Sequence, residues 1–276
     1  MNSKYMSRLG WGALQILILA LSLLIIIPLL VMLIGSFKNE AEVTAFNLSL
    51  PSVWKFDNFS TVISEGKLIR SFFNGIFIAG VSVIFTSILS SMAAFIIIRR
   101  SSGFSRFLYY FFFLGLIAPM QMIPTIKLMQ SLKIYGGYIS VIVIYIATNM
   151  AFSIFLYSGF ISTIPKALDE AAAIEGASTL KLFFKVIFPL IKPVSVTVAI
   201  IIFMNVWNDI NLPIYFLNDS NKWTMPLSVY KFYGKYGGSW NLVFADLTLT
   251  AVPVFIIYLL GQKHIVSGMT AGAIKA

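Results

Sequence analysis

The chain contains no cysteine, and only 11% of its 276 residues are charged. Without cysteine there is no disulfide frame, no thiolate nucleophile and no cysteine-based metal site. The shortage of charge excludes more. A soluble domain carries about 25% charged residues. Thirty Lys, Arg, Asp and Glu set against 59% hydrophobic residues cannot furnish a solvated shell for a chain of this length. Membrane is the class that remains. The 20 basic and 10 acidic residues give a formal charge of +10, which in a soluble chain would point to nucleic acid. Here the enrichment of Lys and Arg in cytoplasmic loops of membrane proteins is cause enough, and no nucleic acid is expected as a partner.

Crossing about 30 Å of hydrocarbon takes about 20 mostly apolar residues in a helix, so the gaps between charges locate the spans. Residues 9–37, 71–98, 107–126 and 134–165 are uncharged. A fifth stretch, 193–208, extends back past Lys192, which can snorkel toward water. A sixth, 247–262, extends back past Asp246 to about Trp240. The reading is all-α, a polytopic membrane protein with six spans. The first apolar run is too long for a secretory h-region and is expected to remain as a helix.

Six spans put both termini on one side. The side holding the N-terminus, the 99–106 loop, the 162–192 stretch and the C-terminal tail carries 11 of the 20 Lys and Arg. That bias points to cytoplasmic termini. Arg99, Arg100 and Arg106, with no acid nearby, read as a stop-transfer anchor. Small residues Gly75, Ala79, Ser82, Ser90, Ser91 and Ala94 in the second span suit close helix contact. Pro28, Pro119, Pro124 and Pro253 fall inside spans, where proline frees backbone groups that neighbours must satisfy.

One inter-span segment, residues 162–189, has an internal design. Pro165 fits a first helical position, Asp169 and Glu170 lie near the positive end of the helix dipole, and Gly176 suits a C′ residue. Ser178 is the expected N-cap of a second helix running into Pro189. Ala171, Ala172 and Ala173 offer almost no side chain, so something is expected to cover this helix; alanine's helix propensity is the plainer reason for the triplet.

The spacing decides between them. Glu170-Ala171-Ala172, Gly176 and then Val186-Ile-Phe188-Pro189 resemble the EAA signature of permeases from binding-protein-dependent ABC importers. Val186 and Phe188 depart conservatively from Ile and Leu. Ile27 to Lys38 resembles the first-span exit of carbohydrate-uptake permeases, and Trp207-Asn208-Asp209 their fifth-span end. Gln262 to Lys275 is similar to the C-terminus of the smaller permease subunit of maltose-type importers.

The resemblance implies the type I ABC importer permease fold, divided into an N-terminal segment with the first span (1–36), an extracellular loop (37–69), a five-helix permease core (70–262, coupling loop 162–189) and a cytoplasmic tail (263–276). It implies a plasma or inner membrane location. It also implies a second homologous permease, a cytoplasmic ABC ATPase dimer and an extracellular or periplasmic sugar-binding protein. No Gly-x-x-x-x-Gly-Lys-Ser/Thr occurs, so the chain is not expected to be an enzyme or to hold a cofactor, and ATP and magnesium would sit on the ATPase. Asp169, Glu170, Ala171, Ala172, Gly176 and Pro189 become ATPase-coupling candidates. Gly268, Gly272 and Lys275 mark a second contact, for which a frayed terminus is the alternative.

For a sugar path, polar groups should line the bundle interior. Asn149, Asn205, Asn208 and Asp209 are candidates, with Trp207 and Tyr145 as stacking faces; helix-helix hydrogen bonds are the alternative for each. Asp246 departs from the family pattern, and water contact, a salt bridge and a substrate hydroxyl stay open. No catalytic or metal-ligating set is expected. An intramembrane hydrolase fails because the one histidine, His264, lies at the end of the last span. An ion-coupled transporter is the better rival, yet acids within spans are confined to Asp209 and Asp246 near the outer side.

Overall fold

The structure, a computed structural model, describes residues 3–100, 102–234 and 237–273. Among the described residues the regular structure is helical apart from a two-residue antiparallel ribbon pairing Tyr233 with Gly238 and Gly234 with Gly237. In hydrocarbon every backbone N–H and C=O has to be satisfied within its own segment, which is why the long apolar runs resolve as helices. The helices are α1 (Ser3–Gly35), α2 (Glu40–Val43), α3 (Asp57–Glu65), α4 (Leu68–Arg99), α5 (Gly103–Ile117), α6 (Met122–Ser131), α7 (Tyr138–Ile161), α8 (Ala167–Ile174), α9 (Thr179–Leu182), α10 (Phe188–Leu190), α11 (Lys192–Asn208), α12 (Asn211–Phe216), α13 (Met225–Ser228) and α14 (Trp240–Ala273).

Among the described residues four helices are long and apolar enough to cross a membrane: Leu17–Gly35, Leu68–Arg99, Tyr138–Ile161 and Trp240–Lys263. Thr179–Leu190 and Lys192–Asn208 pass the same test as a pair bent by 78°. The bend falls at Ile191, just before Pro193, and a π-helical stretch, Phe183–Ile187, precedes it. The expected third span departs most from its charge-gap reading. Ala118 is extended, as a residue before proline tends to be, and breaks the stretch into α5 and α6. The 15 residues of α5 cover about 22 Å, short of a full crossing.

Two compact units make up the chain, one from the residues up to Leu68 with Ser228–Ala251, the other from Ile69–Leu227 with Val252 onward. In the first, the expected extracellular loop is ordered. Lys38 is 1% exposed and donates to Asn47 O, Asn47 Oδ1 and Ser49 Oγ. Asn58 Nδ2 donates to the carbonyls of Ser36 and Lys38, and Asn58 Oδ1 accepts from Asn241. The Phe37 ring lies between Trp54, Phe56 and Phe59 at 5.0 to 5.3 Å. The Ser52 hydroxyl donates to the Glu42 carboxylate and holds its pKa below the ordinary carboxylate value.

In the second unit α7 is the central helix, packing on α5, α11 and α12. Gly115 lets α5 approach closely: a Cβ there would sit 3.4 Å from Ala151 Cβ. The small residues of α4, Gly75, Ala79, Ser82, Ser90, Ser91 and Ala94, are all buried, as their spacing predicts. Lipid tails are as apolar as leucine, so dispersion and interhelical hydrogen bonds, rather than hydrophobic transfer, hold such contacts. Asn74 supplies several of those bonds: its Nδ2 donates to Asn221 O and Trp223 O, and its Oδ1 accepts from Tyr138.

Candidate functional site: the segment after α7 and the polar face of α7 and α11

Helix α8 carries Asp169 and Glu170 in its first turn. Its helical turns begin two residues beyond Pro165, whose carbonyl accepts from Leu168 N. The end of α8 is a Schellman motif. Gly176, at φ +72°, donates to Ala173 O, and Ala177 donates to Ala172 O. Ser178 Oγ then accepts from Lys181 N and caps α9. Two of the helix-end assignments made from sequence, Gly176 and Ser178, thus have the expected geometry.

The outer surface of this segment is small, apolar and acidic. Glu170, Ala171, Ala173, Glu175 and Gly176 are exposed, and Ile174 is 88% exposed. Ala172 faces inward and is buried. So does Asp169, on a partner that sequence reading did not supply: Arg99 Nε lies 2.7 Å from Asp169 Oδ2, with the two side chains 9% and 19% exposed. Both terminal nitrogens of Arg99 also donate to Ile164 O at 3.1 Å. Asp169 is therefore engaged within the chain, while Glu170, Ala171 and Gly176 are open to a partner. Pro189 borders an apolar cleft of about 520 Å³ between α4 and α11.

The polar candidates divide in the same way. Tyr145 Oη donates to Asp209 Oδ2, and Asp209 accepts from the backbone N–H of Asn211 and Leu212, capping α12. Trp207 is 2% exposed, stacked on Phe203 at 5.5 Å and edge-on to Phe72. A Cβ on Gly75 would lie 3.1 Å from the indole. Tyr145, Trp207 and Asp209 are thus occupied in packing and capping. Asn149, half-buried, accepts from Asn205, and Asn205 and Asn208 are exposed on one face of α11. These three amides form an accessible polar face.

Asp246, the departure from pattern, does not reach water. It is 0% exposed and accepts from Ser228 Oγ at 2.9 Å and Thr250 Oγ1 at 3.1 Å. Among the described residues no three His, Cys, Asp or Glu side chains converge to hold a metal ion. Gly268 and Gly272 lie on α14, which continues as helix to Ala273 within the expected 263–276 tail. Lys275 is outside the described residues.

Residues 87–271 match the family described as the binding-protein-dependent transport system inner membrane component. The chain belongs to that family. It is 34% identical to the probable starch degradation products transport system permease protein AmyC of Thermoanaerobacterium thermosulfurigenes, over 93% of this chain and 94% of that one. It is 35% identical to the multiple sugar-binding transport system permease protein MsmG of Streptococcus mutans, over 92% and 93%. The fold of this permease matches a bacterial ABC transporter involved in import of the acidic polysaccharide alginate, with a TM-score of 0.81 and 21% identity over 93% of this chain and 96% of that one. It is a multi-pass membrane permease of the type I importer fold, and as a permease subunit it is not itself an enzyme.

Proposed function

We propose that this permease carries a di- or oligosaccharide across the plasma or inner membrane as one half of a permease pair, driven by a separate cytoplasmic ATPase dimer that holds ATP and magnesium. The observation that carries the reading is the exposed face of α8, where Glu170, Ala171 and the Gly176 turn leave backbone and one carboxylate open to a docking partner. Small side chains let that partner approach closely, and a carboxylate near a helix N-terminus suits a basic group. ATP-driven closure of the ATPase dimer displaces α8 and rocks the spans between inward-facing and outward-facing states. The sugar substrate is supported by the names of the relatives, which include a diacetylchitobiose uptake permease protein from Streptomyces coelicolor at 28% identity.

In this reading six crossings, with 103–131 completing the third, place both termini and the 162–189 segment in the cytoplasm. Residues 1–36 form the N-terminal segment and first span, 37–69 the outer loop, 70–262 the core and 263–276 the inner end. A periplasmic or extracellular sugar-binding protein delivers the substrate; a solved alginate transporter holds an alginate-loaded periplasmic protein, and its fold matches at a TM-score of 0.69. Asn149, Asn205 and Asn208 face the sugar, and the end of α14 near Gly268 and Gly272 offers the ATPase a second contact.

The test is uptake of labelled oligosaccharide into vesicles containing the full complex. ATP-dependent uptake that stops with a catalytically dead ATPase is expected. Uptake that persists with the dead ATPase and follows a proton or sodium gradient would mean an ion-coupled secondary transporter.

A further inference from the structure

The turn between α4 and α5 carries a cleft to which the proposed function assigns no role. Its volume is about 310 Å³, and Ile97 and Ile98 form one wall. The remainder is polar: Arg100, Ser102, Ser105, Arg106, Tyr109 and Tyr110. We propose that this cleft binds the phosphate headgroup of an anionic phospholipid.

Three observations support it. The first is unbalanced charge. Arg99 spends its charge on Asp169, whereas Arg100 and Arg106 have no carboxylate within 4.0 Å among the described residues. Two guanidinium groups lining one small cleft supply positive charge with no internal counter-charge, and their forks match phosphate oxygens. The second is the position of the cleft at the start of the 15-residue α5. Ser102 caps that helix by accepting from Ser105 N at 3.1 Å, and the two hydroxyls lie 2.9 Å apart. The positive end of the helix dipole therefore adds to the two arginine charges.

The third observation distinguishes a lipid from a free phosphate. Phe104, Phe107, Phe111 and Leu114 are all more than half exposed and recur at helical spacing along α5. Phe107 and Phe111 stack at 6.2 Å, extending exposed apolar surface along α5 beyond Arg106. A soluble anion has no use for that surface, whereas acyl chains do. Tyr109 and Tyr110 carry hydroxyls beside the charged end, the arrangement aromatic side chains adopt at headgroup level. Basic pockets between helices are where anionic headgroups bind membrane proteins. Through Arg99 the cleft lies at the same end of α4 as the α8 segment.

The experiment is native mass spectrometry of the detergent-solubilised full complex, titrated with phosphatidylglycerol, phosphatidylcholine or inorganic phosphate. Phosphatidylglycerol is expected to be retained in preference to phosphatidylcholine and to resist millimolar phosphate. Arg100→Gln with Arg106→Gln is expected to weaken phosphatidylglycerol binding by about tenfold and to leave phosphatidylcholine unchanged. Should the loss of charge disturb membrane insertion, Arg100→Lys with Arg106→Lys keeps the charge and removes the forks, and is expected to weaken binding by about threefold. Unchanged phosphatidylglycerol affinity in the variant that assembles, or displacement of the lipid by inorganic phosphate, would overturn the proposal. The readout is independent of transport, so it stands apart from any failure of the importer reading.

Discussion

Arg99, the last residue of α4, grips the segment after α7 at two points: Asp169 Oδ2 at 2.7 Å and the Ile164 carbonyl at 3.1 Å. A planar guanidinium holding a carboxylate and a carbonyl together fixes direction as well as distance. The start of α8 is thereby tied to a long apolar helix. In the proposed function, the grip is the route by which a displacement of α8 would reach α4.

Arg99→Gln breaks the grip and leaves a partly buried Asp169 without its cation. The expected stability loss is about 1–3 kcal/mol, together with fewer sugar molecules taken up per ATP hydrolysed by the assembled complex. Parallel uptake and phosphate-release assays measure that ratio. A wild-type ratio in a stably assembled Arg99→Gln complex would remove the grip from the coupling route.

Gly176 sits at φ +72°, and a Cβ there would meet nothing within 4 Å. Its replacement therefore strains the backbone without a clash. Gly176→Asn should be mildest, Gly176→Ala should cost about 1–2 kcal/mol locally, and a β-branched Gly176→Val should be worst. Uptake is expected to fall in that order. A flat series would show that the turn geometry is not needed.

Asp246 is buried under two hydroxyl donors. Asp246→Leu leaves the Ser228 hydroxyl without this acceptor, for an expected loss of about 1–3 kcal/mol in thermal unfolding of the permease, while Asp246→Asn keeps an acceptor and should lose less. Equal losses from the two variants would mean that shape, rather than hydrogen bonding, sets the requirement.

Trp207 and Asn205 lie two residues apart and should fail differently. Trp207→Ala empties a packed site against Phe72, Phe203 and Gly75 and should destabilise the protein by about 3–5 kcal/mol. Asn205→Ala, on an exposed face, should leave folding intact and raise the substrate concentration needed for half-maximal uptake. Normal uptake at every concentration by Asn205→Ala with Asn208→Ala would remove the sugar path from this face.

What the sequence disclosed here follows the range of each interaction. The Gly176 turn and the Ser178 cap are local, so residue type and spacing were enough to find them. Runs of small residues likewise foretold the buried face of α4. The Arg99–Asp169 pair spans 70 positions, and its arginine carries an adequate local explanation as an anchor, so nothing nearby pointed to it. Trp207 looks like a stacking platform until Gly75, more than 130 residues earlier, is seen to make room for its ring. Gaps between charges located the apolar stretches but could not measure helix length: Pro119 marked an irregularity in its span without showing that α5 stops short of a crossing, and the 78° bend at Ile191 passed unseen. The family resemblance rests on whole spaced motifs rather than single contacts, and the family match over residues 87–271 takes in those from Glu170 to Pro189 and from Trp207 to Asp209.

The exposed face of α8 is the proposed docking surface for the ATPase. The absence of cysteine makes a direct measurement possible, because Ile174→Cys introduces a single thiol at an 88% exposed position. A photoactivatable maleimide attached there in the assembled complex should cross-link to the ATPase subunit, while the same label at Leu50→Cys should not. A cross-link to the ATPase from position 174 and not from position 50 is the predicted result. A label at position 174 that stays free of the ATPase in a complex still competent for ATP-driven uptake would contradict the account.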